Sequence, residues 1–237
     1  MRLAPAALSV ALLMALAGCA TTSGSGMSAA ERADAAAATP MPATTTAPAV
    51  QAEPPADDAL NATAWYQRAV ERDLVYRTVY RAAANRLQAA LKDKQWDALP
   101  KEDRTGNPAR LAPAIIVDVD ETVLDNAPST VRAIREQREF NEAAWGQWVS
   151  ERKAKPLAGS VEFLNAAAKQ GVTVFYITNR DASLAADTIA NLRSAGFPVA
   201  KDTQVLGLGT IVDGCEQEGS EKSCRRQLVG RSYRVLM

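Results

Sequence analysis

The sequence predicts an α/β fold with a parallel β-sheet, on the basis of two observations. Residues 114–117 and 172–178 are apolar runs without helical periodicity, a pattern typical of strands buried on both faces of a sheet. Segments with helical spacing alternate with these runs, and such alternation favours parallel pairing through right-handed crossovers. The chain has 237 residues, which is enough for one substantial domain with its own hydrophobic core.

The N-terminal region predicts export and lipidation. Arg2 precedes the apolar residues 3–16, which are fewer than the roughly 20 residues of a membrane-spanning helix, so we assign residues 1–18 to a signal peptide. The sequence LAGC ends at Cys19 and resembles a bacterial lipobox, in which cleavage precedes a cysteine that becomes lipidated. By that resemblance Ala20, which follows the cysteine, favours the outer membrane, on its periplasmic face. The alternative is an ordinary signal peptide with an incidental cysteine.

The next segment has the composition of a tether. Residues 20–58 are rich in Ala, Thr, Ser and Pro and contain no aromatic residue. Such a segment cannot bury enough apolar surface to offset the entropy lost on ordering. We therefore interpret residues 19–58 as a lipidated N-terminus followed by a flexible tether, and residues 59–237 as the folded domain.

The folded region is predicted to begin with a long amphipathic helix. Its expected N-cap is Asn61, and the apolar residues that recur at helical spacing are Tyr76, Tyr80, Ala83, Leu87 and Leu91. After Asn126 a second helical region is predicted through about Arg152, with the apolar anchors Val131, Ile134, Phe140, Trp145 and Trp148. The remaining predicted elements are a helix near 160–170, a helix over 182–195 capped by Asp181 and ended by Gly196, a short strand over 205–208, a helix over 222–229 and a final strand over 233–237.

Composition excludes several classes of function. The chain has no histidine, which removes Ser-His-Asp and Cys-His catalysis and histidine-based metal sites. Its 27 Lys and Arg balance its 27 Asp and Glu, and they form no basic block, so no nucleic-acid partner is expected. Any chemistry must therefore use carboxylates, Lys, Arg, Thr, Ser or Cys.

Asp118 and Asp120 directly follow the first predicted strand. Because side chains alternate along an extended chain, the two carboxylates are expected to point the same way. They could share a hard cation such as Mg²⁺, after which one carboxylate would attack phosphorus and the other would handle the leaving group's proton. The simpler alternative is that these acids only cap the following helix. An EF-hand loop is disfavoured, because Val123 stands where that loop needs a glycine.

The segment DVDETVLDN, residues 118–126, resembles the first motif (DxDxT) of the haloacid-dehalogenase (HAD) superfamily. Together with the lipobox it is similar to class C bacterial lipoprotein acid phosphatases of the outer-membrane 5'-nucleotidase type. The resemblance extends from about residue 65 to residue 237. It implies a Rossmann-like core, Mg²⁺, and phosphomonoester substrates similar to nucleoside 5'-monophosphates. It further implies that Asp118 is the nucleophile that forms an aspartyl-phosphate, that Asp120 is the general acid/base and a backbone Mg²⁺ ligand, and that Thr122 braces the loop.

Two further motifs match the same family. Thr178 and Asn179 belong to the sequence TNR after the second strand, which resembles the second motif and implies phosphate binding. Alone, such a threonine is more often a strand terminator or a helix cap. Lys222 resembles the third-motif lysine that neutralises phosphate. Arg225 and Arg226 compete for that assignment, and an isolated lysine is usually a solvated surface residue.

The resemblance also implies a helical cap over the site. We assign the cap to residues 59–100 and 127–155, and the α/β core to residues 112–126 and 156–237. Trp145 lies in the insertion that follows the first motif, where its ring could stack on a nucleobase or an aromatic leaving group. Core packing is the competing role for this ring.

Four features remain open at the level of sequence. Cys215 and Cys224 could pair in an oxidising periplasm, or both could be free thiols. The resemblance implies a fourth, acidic motif beyond the last strand, so we expect a sequence truncated at Met237, with weakened metal binding. A non-catalytic lipoprotein that keeps the fold to bind a ligand or partner is the competing function. The oligomeric state stays undetermined.

Overall fold

The computed structural model describes residues 58–237, so the predicted signal peptide, Cys19 and the tether lie outside the described residues. Within this range the helices are Asp58–Arg68 (α1), Val70–Lys92 (α2), Ala127–Arg135 (α3), Glu142–Glu151 (α4), Ser160–Lys169 (α5), Ala185–Ser194 (α6) and Ser223–Gly230 (α7). The strands are Ala112–Val117 (β1), Leu124–Asp125 (β2), Lys155–Pro156 (β3), Thr173–Asp181 (β4), Val205–Leu208 (β5) and Tyr233–Val235 (β6). In this part of the chain, no helix is both long and apolar enough to cross a bilayer.

The main sheet has four parallel strands in the order β5-β4-β1-β6. The predicted α/β fold with a parallel sheet is therefore confirmed, and β1 lies between β4 and β6. Strands β2 and β3 form a separate antiparallel pair that closes the segment between the first motif and α5. Val117, the last residue of β1, pairs with Tyr176, and β4 continues past this point to Asp181.

Both faces of the central strands are buried, which is why their sequences are continuously apolar. Ile115 and Tyr176 belong to the larger hydrophobic cluster on one face. Phe175 and Ile177 belong to a smaller cluster on the opposite face, where Val229 of α7 covers the sheet. Successive side chains of β4 point to opposite faces of the sheet, so this one strand contributes residues to both hydrophobic clusters.

The predicted single N-terminal helix is wrong in one respect, because the structure has two helices. Ala69 separates α1 from α2 and has an extended conformation, with φ −73° and ψ 125°. Asn61 lies inside α1 and is not a cap. The break lets the two helices contact different neighbours: α1 packs against α3, whereas α2 packs against α5.

The predicted helix over 126–152 is also divided. Residues 136–141 separate α3 from α4, and Gln137 adopts a left-handed φ of 48° that ends the first helix. Asn141 starts the second helix by accepting a hydrogen bond from the Ala144 amide at 2.9 Å. Phe140 was expected as an apolar anchor but is 70% exposed, because it lies in this connection. Trp148 is 3% exposed and belongs to the core.

The C-terminal half agrees closely with the predicted elements. Asp181 accepts a hydrogen bond from the Ser183 amide at 2.8 Å and so caps the 3₁₀ turn that leads into α6. Gly196 follows α6 with a φ of 88°, which glycine adopts without strain. Arg234 of β6 is 2% exposed and donates to the carbonyls of Ala90 and Asp93, each at 2.7 Å. This arginine therefore joins the last strand to the end of α2.

Cys215 and Cys224 form a disulfide, with their Cα atoms 5.6 Å apart. The bond joins the loop after β5 to the first turn of α7. Of the two possibilities that the sequence left open, the paired state is the one in the structure.

Replacing both cysteines with serine should lower the free energy of unfolding by about 2–3 kcal/mol, because the bond closes a short loop in the unfolded chain. Urea denaturation of the Cys215→Ser/Cys224→Ser protein against the oxidised parent measures the loss. A reducing agent should bring the parent to the stability of the variant. Equal midpoints for parent and variant would contradict the stabilising role of the bond.

Candidate active site

The candidate site lies where the first two predicted strands end. The chain leaves β1 after Val117 and turns through residues 118–123, while the adjacent β4 carries Thr178 and Arg180 past the same edge. The register between β4 and β5 shifts between Ile177 and Asp181. Gly207 of β5 permits this irregularity, since a Cβ there would lie 2.8 Å from the Arg180 carbonyl oxygen.

Asp118 and Lys222 are in direct contact. The lysine Nζ lies 2.6 Å from Oδ2 of Asp118, and the other oxygen accepts the Val119 amide at 2.7 Å. Lys222 is at the N-cap position of α7, which directs the side chain to the sheet edge. The aspartate side chain remains 40% exposed, so the pair is open to solvent. The competing residue Arg226 contacts Asp103 instead.

Asp120 is held by three side chains. Arg180 donates to Oδ1 of Asp120 through Nη2 at 2.7 Å and Nε at 2.9 Å, and Asn126 donates to the same oxygen at 2.8 Å. The Thr178 hydroxyl donates to Oδ2 at 3.3 Å. The structure therefore brings four of the predicted residues, Asp118, Asp120, Thr178 and Lys222, to one edge of the sheet.

Two tyrosines of α2 anchor the turn between these residues and β2. The Tyr76 hydroxyl donates to the Glu121 carbonyl at 2.6 Å, and the Tyr80 hydroxyl donates to the Thr122 carbonyl at 2.5 Å. Glu121 has a left-handed φ of 52°, a strained conformation for a residue with a side chain. Burial raises the pKa of Tyr80 to about 12, so its hydroxyl stays a donor. Thr122 thus contributes its carbonyl to the brace.

Removing the Tyr80 hydroxyl should destabilise the protein. In Tyr80→Phe the Thr122 carbonyl loses its donor beneath α2, which we expect to cost about 1–3 kcal/mol of unfolding free energy. Chemical denaturation of parent and variant gives the difference. A variant as stable as the parent would show that water replaces the hydroxyl without loss.

The hydrogen bonds that Arg180 and Asn126 donate to Asp120 were not predicted from the sequence. Asn126 is 3% exposed and accepts hydrogen bonds from Trp148 Nε1 at 2.8 Å and from Arg180 Nη2 at 3.2 Å. Arg180 is 2% exposed although it is a charged residue within β4. The available signal was its spacing: Arg180 lies two residues after Thr178, so both side chains share one side of β4.

Asn179 points away from Asp120 and is exposed. Its Oδ1 accepts a hydrogen bond from Arg225 Nη2 at 2.9 Å. Arg225 is fully buried and also donates to the carbonyls of Thr178 and Glu221. Burial lowers the pKa of Arg225, and the nearby Asp118 charge opposes that shift. This arginine links the second motif to the loop before Lys222.

Trp145 lies over Arg180, with the guanidinium Cζ 5.6 Å from the ring centroid. The ring also faces Phe140, at a centroid distance of 6.4 Å. Trp145 is half-buried and packs against the larger core cluster. Its ring therefore covers a side chain that holds Asp120.

The oxygen donors near β1 suit a hard divalent cation. Asp118 offers a partly exposed carboxylate and Asp120 a backbone carbonyl, and Mg²⁺ takes few protein ligands and keeps several waters. Within residues 58–237, no three His, Cys, Asp or Glu side chains are grouped to hold a metal ion. These two donors would therefore hold the cation, and water and phosphate oxygens would complete its ligands.

The parallel sheet, together with a DxD motif at the end of its central strand, defines an α/β protein of the HAD type. A sequence model of this superfamily's subfamily IIIB, the acid phosphatases, matches residues 28–237, and the chain belongs to this family.

Solved structures show the same similarity. The class C acid phosphatase of Bacillus anthracis has 30% sequence identity and a TM-score of 0.60, with 74% of this chain and 65% of that chain covered. The same enzyme with tungstate bound has 31% identity and a TM-score of 0.59, over the same shares of the two chains.

Two plant proteins are similar in sequence. Acid phosphatase 1 of Solanum lycopersicum is 33% identical over 122 residues, and the stem 31 kDa glycoprotein of Glycine max is 32% identical over 127 residues. Each match covers 51% of this chain and 47% of the relative, so the chain spans about half the length of these curated relatives.

Proposed function

We propose that the protein is a metal-dependent acid phosphatase that hydrolyses phosphomonoesters through an aspartyl-phosphate on Asp118. The observation that carries the proposal is the convergence of two carboxylates, a hydroxyl and a lysine at one edge of the sheet. These are the groups that phosphoryl transfer requires around one phosphate: a nucleophile, a proton donor and a charge clamp. Membership of the acid phosphatase subfamily supports the same reaction.

In the first step a carboxylate oxygen of Asp118 attacks phosphorus. A new O–P bond forms as the bond from phosphorus to the leaving-group oxygen breaks, and Asp120 gives that oxygen its proton. Lys222, which contacts Asp118, lies within reach of the phosphoryl oxygens and balances their charge. Thr178 is placed to donate a hydrogen bond to the same group.

In the second step water attacks the phosphorus of the aspartyl-phosphate. Asp120, now ionised, takes a proton from that water, and the bond between phosphorus and Asp118 breaks. Inorganic phosphate leaves, and both aspartates return to their starting states. One residue thus serves first as acid and then as base.

Mg²⁺ is the proposed cation. The Asp118 carboxylate and the Asp120 carbonyl would hold it, in keeping with the preference of this ion for oxygen ligands. When bound, the ion supplies positive charge that offsets the phosphate dianion and the carboxylate. Nucleoside 5'-monophosphates and similar phosphomonoesters are the proposed substrates. A structural relative binds tungstate, a tetrahedral oxyanion, which supports a phosphate-like ligand at this fold.

The test is phosphate release by the purified full-length protein. Adenosine 5'-monophosphate and p-nitrophenyl phosphate should both be hydrolysed with Mg²⁺, and EDTA should stop the reaction. Acid quenching during turnover should leave a protein heavier by one phosphoryl group, located on Asp118 by peptide mass. Phosphate binding without turnover under these conditions would instead identify a non-catalytic binding protein.

We also propose that a lipid on Cys19 anchors the protein to the bacterial outer membrane, facing the periplasm. The lipobox-like LAGC sequence supports this location. A Cys19→Ala protein should leave the membrane fraction or remain an unprocessed precursor. Normal processing with unchanged fractionation would contradict lipidation of this cysteine.

A further inference from the structure

The two oxygens of the Asp120 carboxylate have different surroundings. Oδ1 receives three hydrogen bonds, from Arg180 Nη2 at 2.7 Å, Arg180 Nε at 2.9 Å and Asn126 Nδ2 at 2.8 Å. Oδ2 has only two long contacts, with the Thr178 hydroxyl and with the shared Arg180 Nε, each at 3.3 Å. Oδ1 is therefore saturated, whereas Oδ2 can still exchange a proton.

The direction of Oδ2 follows from its partner. Thr178 lies in β4, two residues past the Tyr176 that pairs with Val117 at the end of β1, and this is the edge of the sheet where a phosphate would bind in the proposed reaction. Turning the carboxylate out of this orientation would break the three short hydrogen bonds to the oxygen that Arg180 and Asn126 hold. The arrangement thus fixes one specific oxygen of Asp120 toward the phosphate position.

Arg180 is itself held firmly. It is 2% exposed, its Nη1 lies 3.4 Å from the Thr188 hydroxyl, and Trp145 covers its guanidinium. A buried guanidinium loses little entropy when it orients a partner, because its neighbours already fix its planar group. The clamp on Asp120 is therefore in place before any substrate binds.

We infer that Arg180 is a positioning residue for proton transfer: it fixes Asp120 so that Oδ2 delivers the proton to the leaving group. The inference rests on the proposed phosphatase function. Trp145 supports this role because its ring packs over the Arg180 guanidinium and helps to hold it in place. This role differs from the substrate stacking that the sequence suggested for Trp145.

The consequence of losing the clamp depends on the substrate. An alkyl phosphate such as glycerol 2-phosphate releases a strongly basic alkoxide, which needs a proton as the P–O bond breaks. A p-nitrophenyl phosphate releases a stable phenolate, which leaves without one. A defect in proton delivery therefore slows the alkyl substrate more than the aryl substrate, whereas a general loss of active protein slows both equally.

The experiment compares kcat/KM for these two substrates in the parent and in Arg180→Lys, because kcat/KM reports the step in which the leaving group departs. Lysine keeps the positive charge but cannot make the paired bonds to Oδ1. For the variant we expect a loss of about 10²-fold or more with glycerol 2-phosphate, and of about tenfold or less with p-nitrophenyl phosphate.

Arg234→Lys is the matched control. Arg234 is equally buried at 2% exposure, but it binds carbonyls at the end of α2. Its replacement should reduce stability and leave the ratio of the two kcat/KM values at the parental value. Circular dichroism and thermal melting of both variants report whether each one is folded.

A second variant keeps the inference testable if Arg180→Lys does not fold. Trp145→Leu removes the ring over Arg180 from a half-buried position, and it should lower kcat/KM for the alkyl substrate more than for the aryl substrate. A larger loss with the aryl substrate would overturn the assignment of Trp145 and indicate direct stacking on the leaving group.

The outcomes distinguish a failure of the positioning role of Arg180 from a failure of the proposed phosphatase function. If the parent is active and Arg180→Lys slows both substrates by the same factor, the positioning role is wrong while the phosphatase function stands. If the parent releases phosphate from neither substrate, the proposed function fails and the positioning role fails with it. An alkyl-selective loss supports both.

Discussion

Replacing Asp118 with asparagine should abolish phosphate release while leaving the protein folded. The amide cannot act as the nucleophile, so no aspartyl-phosphate forms, and we expect turnover to fall by at least about 10³-fold. The change is nearly isosteric, and the side chain is 40% exposed, so little packing is lost. Phosphate release with p-nitrophenyl phosphate and Mg²⁺ measures the effect.

The affinity for inorganic phosphate should not fall with turnover in Asp118→Asn, and it should stay the same or increase. The Asp118 carboxylate repels a phosphate dianion bound beside it, and asparagine removes that repulsion. Isothermal titration with inorganic phosphate should therefore show affinity in Asp118→Asn that equals or exceeds that of the parent. Loss of both turnover and phosphate binding would point to a collapsed site and not to a missing nucleophile.

Asp202→Asn is the control for this change. Asp202 pairs with Arg193 on the surface, and its side chain is 72% exposed. The same chemical replacement there should leave turnover within about twofold of the parent, because surface substitutions rarely alter stability by more than about 0.5 kcal/mol. Turnover in Asp118→Asn as high as in this control would require another nucleophile.

The fold was predictable because its central strands are buried on both faces. Residues 114–117 and 174–177 are apolar throughout, and that pattern is local enough to be recognised in a single sequence. The convergence at the sheet edge follows from the same topology, because parallel pairing brings the residues after β1 next to Thr178 of β4. Asp118, Asp120 and Thr178 could therefore be grouped before the structure was known.

What the sequence did not reveal depends on contacts between distant segments. In the sequence, Asn126 is a candidate helix cap. Only the packed structure shows that it makes hydrogen bonds with Asp120, Arg180 and Trp148. A buried arginine is also unexpected in an apolar strand, because its burial is compensated by a carboxylate 60 positions away. No local periodicity encodes such a partner.

The helix breaks have a similar origin. Helical spacing continues through Ala69, and its extended conformation becomes favourable because α1 and α2 then pack on different helices. Local propensity is a weak term, and tertiary contacts outweigh it. Phe140 shows the reverse case: an apolar residue at a helical position is exposed because the connection around it places it outside the core.

Lys222→Gln should weaken both phosphate binding and turnover. Glutamine can still donate a hydrogen bond, so the change mainly removes the positive charge that now lies 2.6 Å from Asp118. Removing one group that stabilises the charge developing in a transition state costs about 10²–10³-fold in turnover, and we expect a loss of that size in kcat/KM. The steady-state kinetics with p-nitrophenyl phosphate give the value.

Two control variants test whether the kinetic loss is specific to Lys222 or follows the removal of any positive charge. Lys153→Gln removes a surface lysine whose side chain is 70% exposed, and it should leave kcat/KM unchanged. Arg226→Gln removes the partner of Asp103, which is only 1% exposed, and should reduce stability with little change in kcat/KM. A large kinetic loss in Arg226→Gln and none in Lys222→Gln would transfer the clamp to the arginine that the sequence left in competition.

Residual phosphate affinity in Lys222→Gln has a structural source. Arg225 is fully buried, and its hydrogen bonds go to oxygens of carbonyl and side-chain amide groups, including the Thr178 carbonyl and Asn179 Oδ1. Its charge is therefore not cancelled by a bonded carboxylate, and it acts on the same sheet edge. Lys222→Gln should thus bind phosphate more weakly than the parent but more tightly than Lys222→Glu, which adds a like charge beside Asp118. Phosphate inhibition constants in that order would show that charge, and not the lysine's hydrogen bond, sets the affinity of the site.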